Sequence, residues 1–131
     1  MLDVNAREIF SSKTFAHVAI VDDSGMPHVT PVWVDVSDDG DLWFNTAEGR
    51  LKARLLQEGA PVAIAALHPD NPYQFAMVRG RVKERRHDTA EDDIDALAKK
   101  YMDADSYPLR KEGEVRVTVV IEPESTVQYG G

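Results

Sequence analysis

The chain contains no cysteine, which removes disulfides, zinc ribbons, iron–sulfur clusters and thiol nucleophiles together. It also lacks a basic surplus, since 15 Lys and Arg stand against 23 Asp and Glu for a net charge of -8. That balance disfavours nonspecific binding to nucleic acid or to an anionic membrane. An anionic ligand would have to be captured by a local basic pocket. No long hydrophobic run is present: the longest, VAIAAL at 62–67, falls far short of the roughly 20 residues that cross a bilayer as a helix. The start MLDVNAREIF has no basic segment followed by an apolar one, so no secretory signal is expected and a cytoplasmic protein is the default.

Several site motifs are missing as well. There is no G-x-x-x-x-G-K-[ST], no G-x-G-x-x-G and no G-x-S-x-G, which sets aside P-loop, Rossmann and nucleophile-elbow chemistry. DVSDDGD at 35–41 has the glycine of a calcium loop, but its twelfth position is Thr46 rather than Glu, so it reads as a hairpin turn. His17, His28, His68 and His87 form no i, i+4 pair, and no built-in metal site is expected.

What is present is mostly strand signal. At 131 residues the length suits a single domain over 1–131 with one sizeable core. Six strands are predicted over 14–23, 28–36, 41–46, 61–69, 73–86 and 113–123. HVTPVWVDV alternates in the period of a half-buried strand, and PVAIAALHP reads as a strand buried on both faces. Helices are fewer: a short one near VNAREIFSS, one over 50–59 ending at Gly59, and one over 88–102. The last places Ile94, Leu97, Ala98 and Tyr101 on one stripe. Six strands with few helices imply an antiparallel barrel that closes on itself, its residual apolar faces covered by the helices or by a second subunit.

Two basic clusters remain. RLKAR at 50–54 follows the strand DLWFNT, and a strand-to-helix junction with basic side chains is a phosphate site in many proteins. On spacing alone it stands even with a solvated helix face. RGRVKERR at 79–86 alternates as a solvent-facing edge does. Pro31 forfeits a ladder hydrogen bond inside its strand, which marks an edge, a bulge or a close approach to a ligand.

GMPHVTPVWVDV, LWFNTAEGRLKARLL, HPDNPYQFAMVRGRV and GEVRVTVVIEP occur here in one order. In that order they resemble the pyridoxamine 5'-phosphate oxidase-like, flavin-binding split β-barrel superfamily, and within it the F420-dependent oxidoreductases of flavin/deazaflavin subgroup B. The resemblance implies a mainly β, six-stranded antiparallel split β-barrel that forms a homodimer with cofactor sites at the subunit interface. It implies coenzyme F420, with FMN as the alternative, and hydride transfer to a small electron-poor molecule; a non-catalytic carrier of a flavin or haem-type ligand is a third possibility. Asn45, Thr46, Arg50 and Lys52 become contacts for the cofactor phosphate. Thr30, Pro31, Val32 and Trp33 would lie along the tricyclic ring, and Tyr73, Gln74 and Arg116 of a partner subunit would complete the site. No catalytic acid or base is assigned. Where members commonly read K-x-R-N-L-R-R-D-P, this chain reads KARLLQEGAP, with Leu55 for the Asn and with Gln57 and Glu58 at positions of basic character.

Overall fold

Strand prediction over 28–36 meets a break at Trp33, and that break organises the molecule. In the computed structural model, which describes residues 2–129, the segment forms β2 (Pro27–Val32) and then β3 (Val34–Val36). β2 pairs with β1 (Ala16–Val21), Val32 lying opposite Ala16, whereas β3 pairs with β4 (Leu42–Ala47), Val34 opposite Phe44. The remaining strands are β5 (Pro61–His68), β6 (Asn71–Arg86) and β7 (Arg116–Tyr129). All belong to one antiparallel sheet in the order β2-β1-β5-β6-β7-β4-β3. The described residues thus hold seven strands rather than the six expected. The two edge strands are consecutive in the chain, so one residue links opposite edges and the sheet curls into a half-barrel. Pro31 lies on an edge strand, where its missing N–H costs nothing in the ladder.

A strand that changes partners leaves backbone groups behind, and buried ones must find substitutes. Helix α3 (Ala90–Met102) supplies them. The Tyr101 hydroxyl accepts from the Val34 N–H at 3.1 Å and donates to the Thr14 carbonyl at 2.6 Å. Lys100 donates to the carbonyls of Val34 and Phe10. The stripe of Ile94, Leu97, Ala98 and Tyr101 is buried as its spacing predicts.

Helix α1 (Val4–Ser11) is capped by Asp3, whose carboxylate accepts from Ala6 N–H at 2.9 Å. It drives Ile9 and Phe10 into the barrel against Val18, Phe44, Ile64, Val78 and Ile121; each such side chain contributes roughly 1.5–3 kcal/mol of burial. β6 is long and bulged, with register shifts at Arg79/Gly80 and Val82/Glu84. Expected over 113–123, β7 starts at Arg116 and runs on through Pro123, which sits opposite Gly80 at the first bulge, to Tyr129. Gly80 has no alternative there: a Cβ would lie 2.2 Å from the Glu122 carbonyl oxygen.

Two local readings change. Helix α2 (Leu51–Leu55) is half the predicted length, because Leu56 leaves the helix for the core and Gln57 folds back to donate to the Arg54 carbonyl at 3.1 Å. β5 is buried on one face only. Val62, Ile64 and Ala66 point into the barrel, while Ala63, Ala65 and Leu67 share an outer face with Ala19, Val29 and Met77. Among the described residues no helix is long and apolar enough to cross a membrane.

Candidate functional site

A cleft of about 300 Å³ opens where β2, β4 and β7 approach α3. Its basic end is built by pairing. Ala47 of β4 lies opposite Arg116 of β7, and Asn45 opposite Thr118. Arg116 is almost wholly enclosed, its side chain 3% exposed; it donates from Nε to Asn45 Oδ1 at 2.8 Å and from Nη1 to Glu114 Oε1 at 2.9 Å. The Asn45 amide nitrogen in turn donates to the Ala90 carbonyl at 2.9 Å and to Thr118 Oγ1 at 3.0 Å. The Thr118 hydroxyl in turn donates to Asp93 Oδ2 at 2.7 Å. This chain of donors locks the Asn45 amide and the Arg116 fork in one orientation.

Arg50 and Lys52 reach the same end from the β4–α2 corner. Arg50 lies 3.5 Å from Glu114, and Lys52 donates to the Thr30 hydroxyl at 3.2 Å. Among the described residues Lys52 has no carboxylate partner. Its ammonium is held below the usual lysine range, first by burial and then by the nearby charges of Arg50 and Arg116. Three cations thus face one carboxylate, Glu114. An anion arriving here would relieve that repulsion, which is the electrostatic signature of an anion site. The corner contributes through side chains: α2 has only five residues, too few for an appreciable macrodipole.

The other walls are apolar and flat. Trp33 stacks on Tyr101 with centroids 5.3 Å apart and meets Tyr107 edge-on at 6.0 Å. Phe15, Ile94, Leu97 and Leu109 complete the lining. A side groove of about 260 Å³ runs from Arg50 and Lys52 past Thr30 to Ile20 and His28. His28 lies 2.9 Å from Asp22, whose carboxyl is held well below the usual range, chiefly by that contact. An elongated cleft with cations at one end and aromatic rings along its length suits a planar ring system that carries a phosphate. The residues present therefore fit a flavin-type group.

Comparison with known proteins gives the same direction. The sequence profile described as pyridoxamine 5'-phosphate oxidase matches residues 4–127. The chain belongs to that family. A search of curated proteins found no match. Among solved structures, an F420 reductase is 25% identical, with 96% of this chain and 98% of that one covered and a TM-score of 0.80. The General Stress Protein 26 of Bacillus anthracis shares the fold at 16% identity, covering 95% and 91% of the two chains with a TM-score of 0.69. The FAD binding protein of Mycobacterium smegmatis does so at 18%, covering 98% and 96% with a TM-score of 0.65.

For this pyridoxamine 5'-phosphate oxidase family chain, the expected site residues separate into three groups. Pro31, Val32, Trp33, Asn45, Arg50, Lys52 and Arg116 line the main cleft, and Thr30 lines the side groove. Arg116, expected from a partner subunit, stands in this chain's own cleft. Thr46 is fully buried on the barrel side of β4, away from Asn45, and its hydroxyl has no hydrogen-bond partner among the described residues. Tyr73, 81% exposed, and Gln74 sit at the start of β6 and do not line the cleft.

The family pattern also misses residues. Tyr107 and Leu109 reach the cleft from the loop after α3, and Ile94 and Leu97 read in sequence only as a core stripe. Arg85 is a further case. The second bulge of β6 inverts the alternation, turning Arg85 inward to 12% exposure while Arg79, Arg81 and Lys83 stay outside. Its Nη2 donates to Glu48 Oε1 at 2.8 Å and to the Ala53 carbonyl at 2.9 Å, bracing both sides of the β4–α2 corner. Nothing local in VKERR signals that inversion.

Proposed function

We propose that this protein is an oxidoreductase that binds a phosphate-bearing flavin-type cofactor in the cleft, with coenzyme F420 as the first reading. The observation that carries the reading is the group of Lys52, Arg50 and Arg116, three cations facing one carboxylate at the end of an aromatic-walled cleft. The likeness to an F420 reductase over 96% of the chain supports the deazaflavin form. When bound, such a ring supplies or accepts a hydride. The protein's part is orientation and exclusion of water. Arg50 and Lys52 hold the phosphate, Asn45 and Arg116 fix the inner end of the cleft, and Pro31, Val32 and Trp33 form the wall along the ring. Among the described residues the cleft lining contains no carboxylate and no imidazole, consistent with chemistry carried by the cofactor.

FMN is the second reading, and one observation favours it. α2 ends at Leu55, Arg54 lies 3.8 Å from Asp23, and Gln57 turns back on the helix. The few cations that remain suit a single phosphate better than an extended, multiply charged tail. The outer face of the sheet supports a homodimer: Val29 is 61% and Leu67 49% exposed beside Ala63, Ala65 and Met77. A second copy of the chain would bury this apolar surface, which monomers rarely leave open.

Titration of the cofactor-free protein with FMN and with F420, read by cofactor fluorescence, tests the proposal. Saturable tight binding of F420 supports the first reading, and tight binding of FMN alone replaces it with the second. Binding of either without turnover of enones or quinones leaves a carrier. Lys52→Ala is expected to weaken binding by about 1.5–3 kcal/mol, the scale of a charge-assisted hydrogen bond; unchanged affinity would return the cluster to a solvated surface. Sedimentation velocity tests the dimer.

A further inference from the structure

Between α3 and β7 the chain crosses residues 103–115 without helix or strand. A connection of that length in a small domain is uncommon and usually has a task. It lies along the open side of the cleft and places Tyr107 and Leu109 in the lining. Leu109 is 62% exposed, an apolar side chain turned to a cavity rather than to the core.

One ring anchors the strap, Tyr107 packing against the cluster of Ile94, Leu97 and Tyr101, and polar contacts hold the rest. Asp95 Oδ1 accepts from the Tyr107 N–H at 2.8 Å and from Arg110 Nη2 at 3.0 Å. Arg110 also donates from Nε to Glu91 Oε1 at 2.7 Å. Such partly exposed ion pairs are individually weak and yield to salt. The Tyr107 ring lies between the edge of Trp33 and the Arg116 guanidinium, which stands 5.3 Å from its centroid. Opening the strap would uncover both.

We infer that residues 104–114 are the specificity element of the site, with Tyr107 and Leu109 forming the wall against which the second ligand packs and the Arg110–Asp95–Glu91 contacts acting as its latch. The inference rests on the cofactor reading above, which uses the basic end and the β2 wall. What is left of the lining is Ile94, Leu97, Tyr107 and Leu109, none of them charged, and the neighbouring Arg110 is committed to Glu91 and Asp95. The three groups together carry one net negative charge, which does not attract an anion to the entrance. The second ligand is therefore an uncharged, flat molecule, and a phosphorylated one is disfavoured.

The test uses the full chain carrying Trp43→Phe, so that Trp33 alone reports. Menadione, an uncharged quinone, is titrated against its fluorescence, beside the anionic 1,4-naphthoquinone-2-sulfonate, with inorganic phosphate present throughout to occupy the Arg50, Lys52 and Arg116 end. Saturable menadione binding with at least tenfold weaker binding of the sulfonate is expected. Leu109→Glu should raise the menadione Kd about tenfold, Leu109→Met should restore it, and FMN or F420 affinity should stay within twofold in both. Arg110→Gln should speed amide hydrogen exchange across 104–114. The assignment is overturned if wild type shows no saturable menadione binding, if Leu109→Glu leaves that binding unchanged, or if it weakens cofactor and menadione alike. Failure of wild type to bind either cofactor refutes the cofactor reading instead, and the menadione series in the cofactor-free protein still decides the strap.

Discussion

Arg85→Met is expected to loosen the corner that carries Arg50 and Lys52. The substitution keeps most of the buried stem and removes the guanidinium, which donates to Glu48 at 2.8 Å and to the Ala53 carbonyl at 2.9 Å. Hydrogen bonds involving a charged group contribute about 1.5–3 kcal/mol each, so the two together are worth roughly 3–6 kcal/mol. Glu48 retains His87 at 3.0 Å, whereas Ala53 retains only a long contact of 3.4 Å from the Gln57 amide. Against this stands Arg85 Nε, buried with no partner among the described residues; its removal recovers about 1–3 kcal/mol. The balance is a destabilisation of about 2 kcal/mol, which for a chain of this size lowers Tm by roughly 6–12 °C. Differential scanning calorimetry measures it, with Arg85→Lys as the companion variant. A lysine keeps the charge but lacks the fork, so it should fall between the two. Cofactor affinity should fall with stability, since the corner positions Lys52. A melting point within about 1 °C of wild type would refute the bracing role.

Other changes probe other joints. Gly80→Ala brings a Cβ to 2.2 Å from the Glu122 carbonyl and should cost more than about 3 kcal/mol in urea unfolding, the mark of a backbone clash between paired strands; a loss under 0.5 kcal/mol would mean that the strands part easily. Tyr101→Phe leaves the Val34 N–H and Thr14 carbonyl without their partner and should cost about 1–3 kcal/mol, while near-ultraviolet circular dichroism retains the Trp33 stacking signal. Acid should also weaken the corner. The Glu48 carboxyl is held below its ordinary value of 4.5, first by His87 and then by Arg85. A depressed carboxyl adds stability that is fully present above the ordinary value and is lost as pH falls through the folded one. Tm of wild type should therefore drop more steeply below about pH 4.5 than Tm of Glu48→Gln; parallel profiles would contradict the assignment.

Much of the framework is local and was legible without coordinates. The α3 stripe follows from a period of 3.6, and the strands from alternation and turn residues. Arg50 and Lys52 were singled out by their place after a strand, and the family pattern led to Asn45 and the β2 wall. All of these depend on near neighbours or on a segment order that one chain displays. The break at Trp33 depends instead on which strands β2 and β3 find, and those partners, Ala16 and Phe44, lie on opposite sides of them in the sequence. Apolar residues at both phases made β5 look doubly buried, though only one phase faces the core of a single chain.

The sequence by itself determined most of the elements, the acidic balance and the basic cluster at 50–54 as a candidate for holding an anion. Tertiary structure decided which cations meet there. Arg116 arrives from β7 through pairing with β4, Arg85 turns inward because a bulge shifts its phase, and Tyr107 and Leu109 come over the cleft because Asp95 and Glu91 hold their loop. Each of these depends on a contact between distant parts of the chain, and no local periodicity records such a contact.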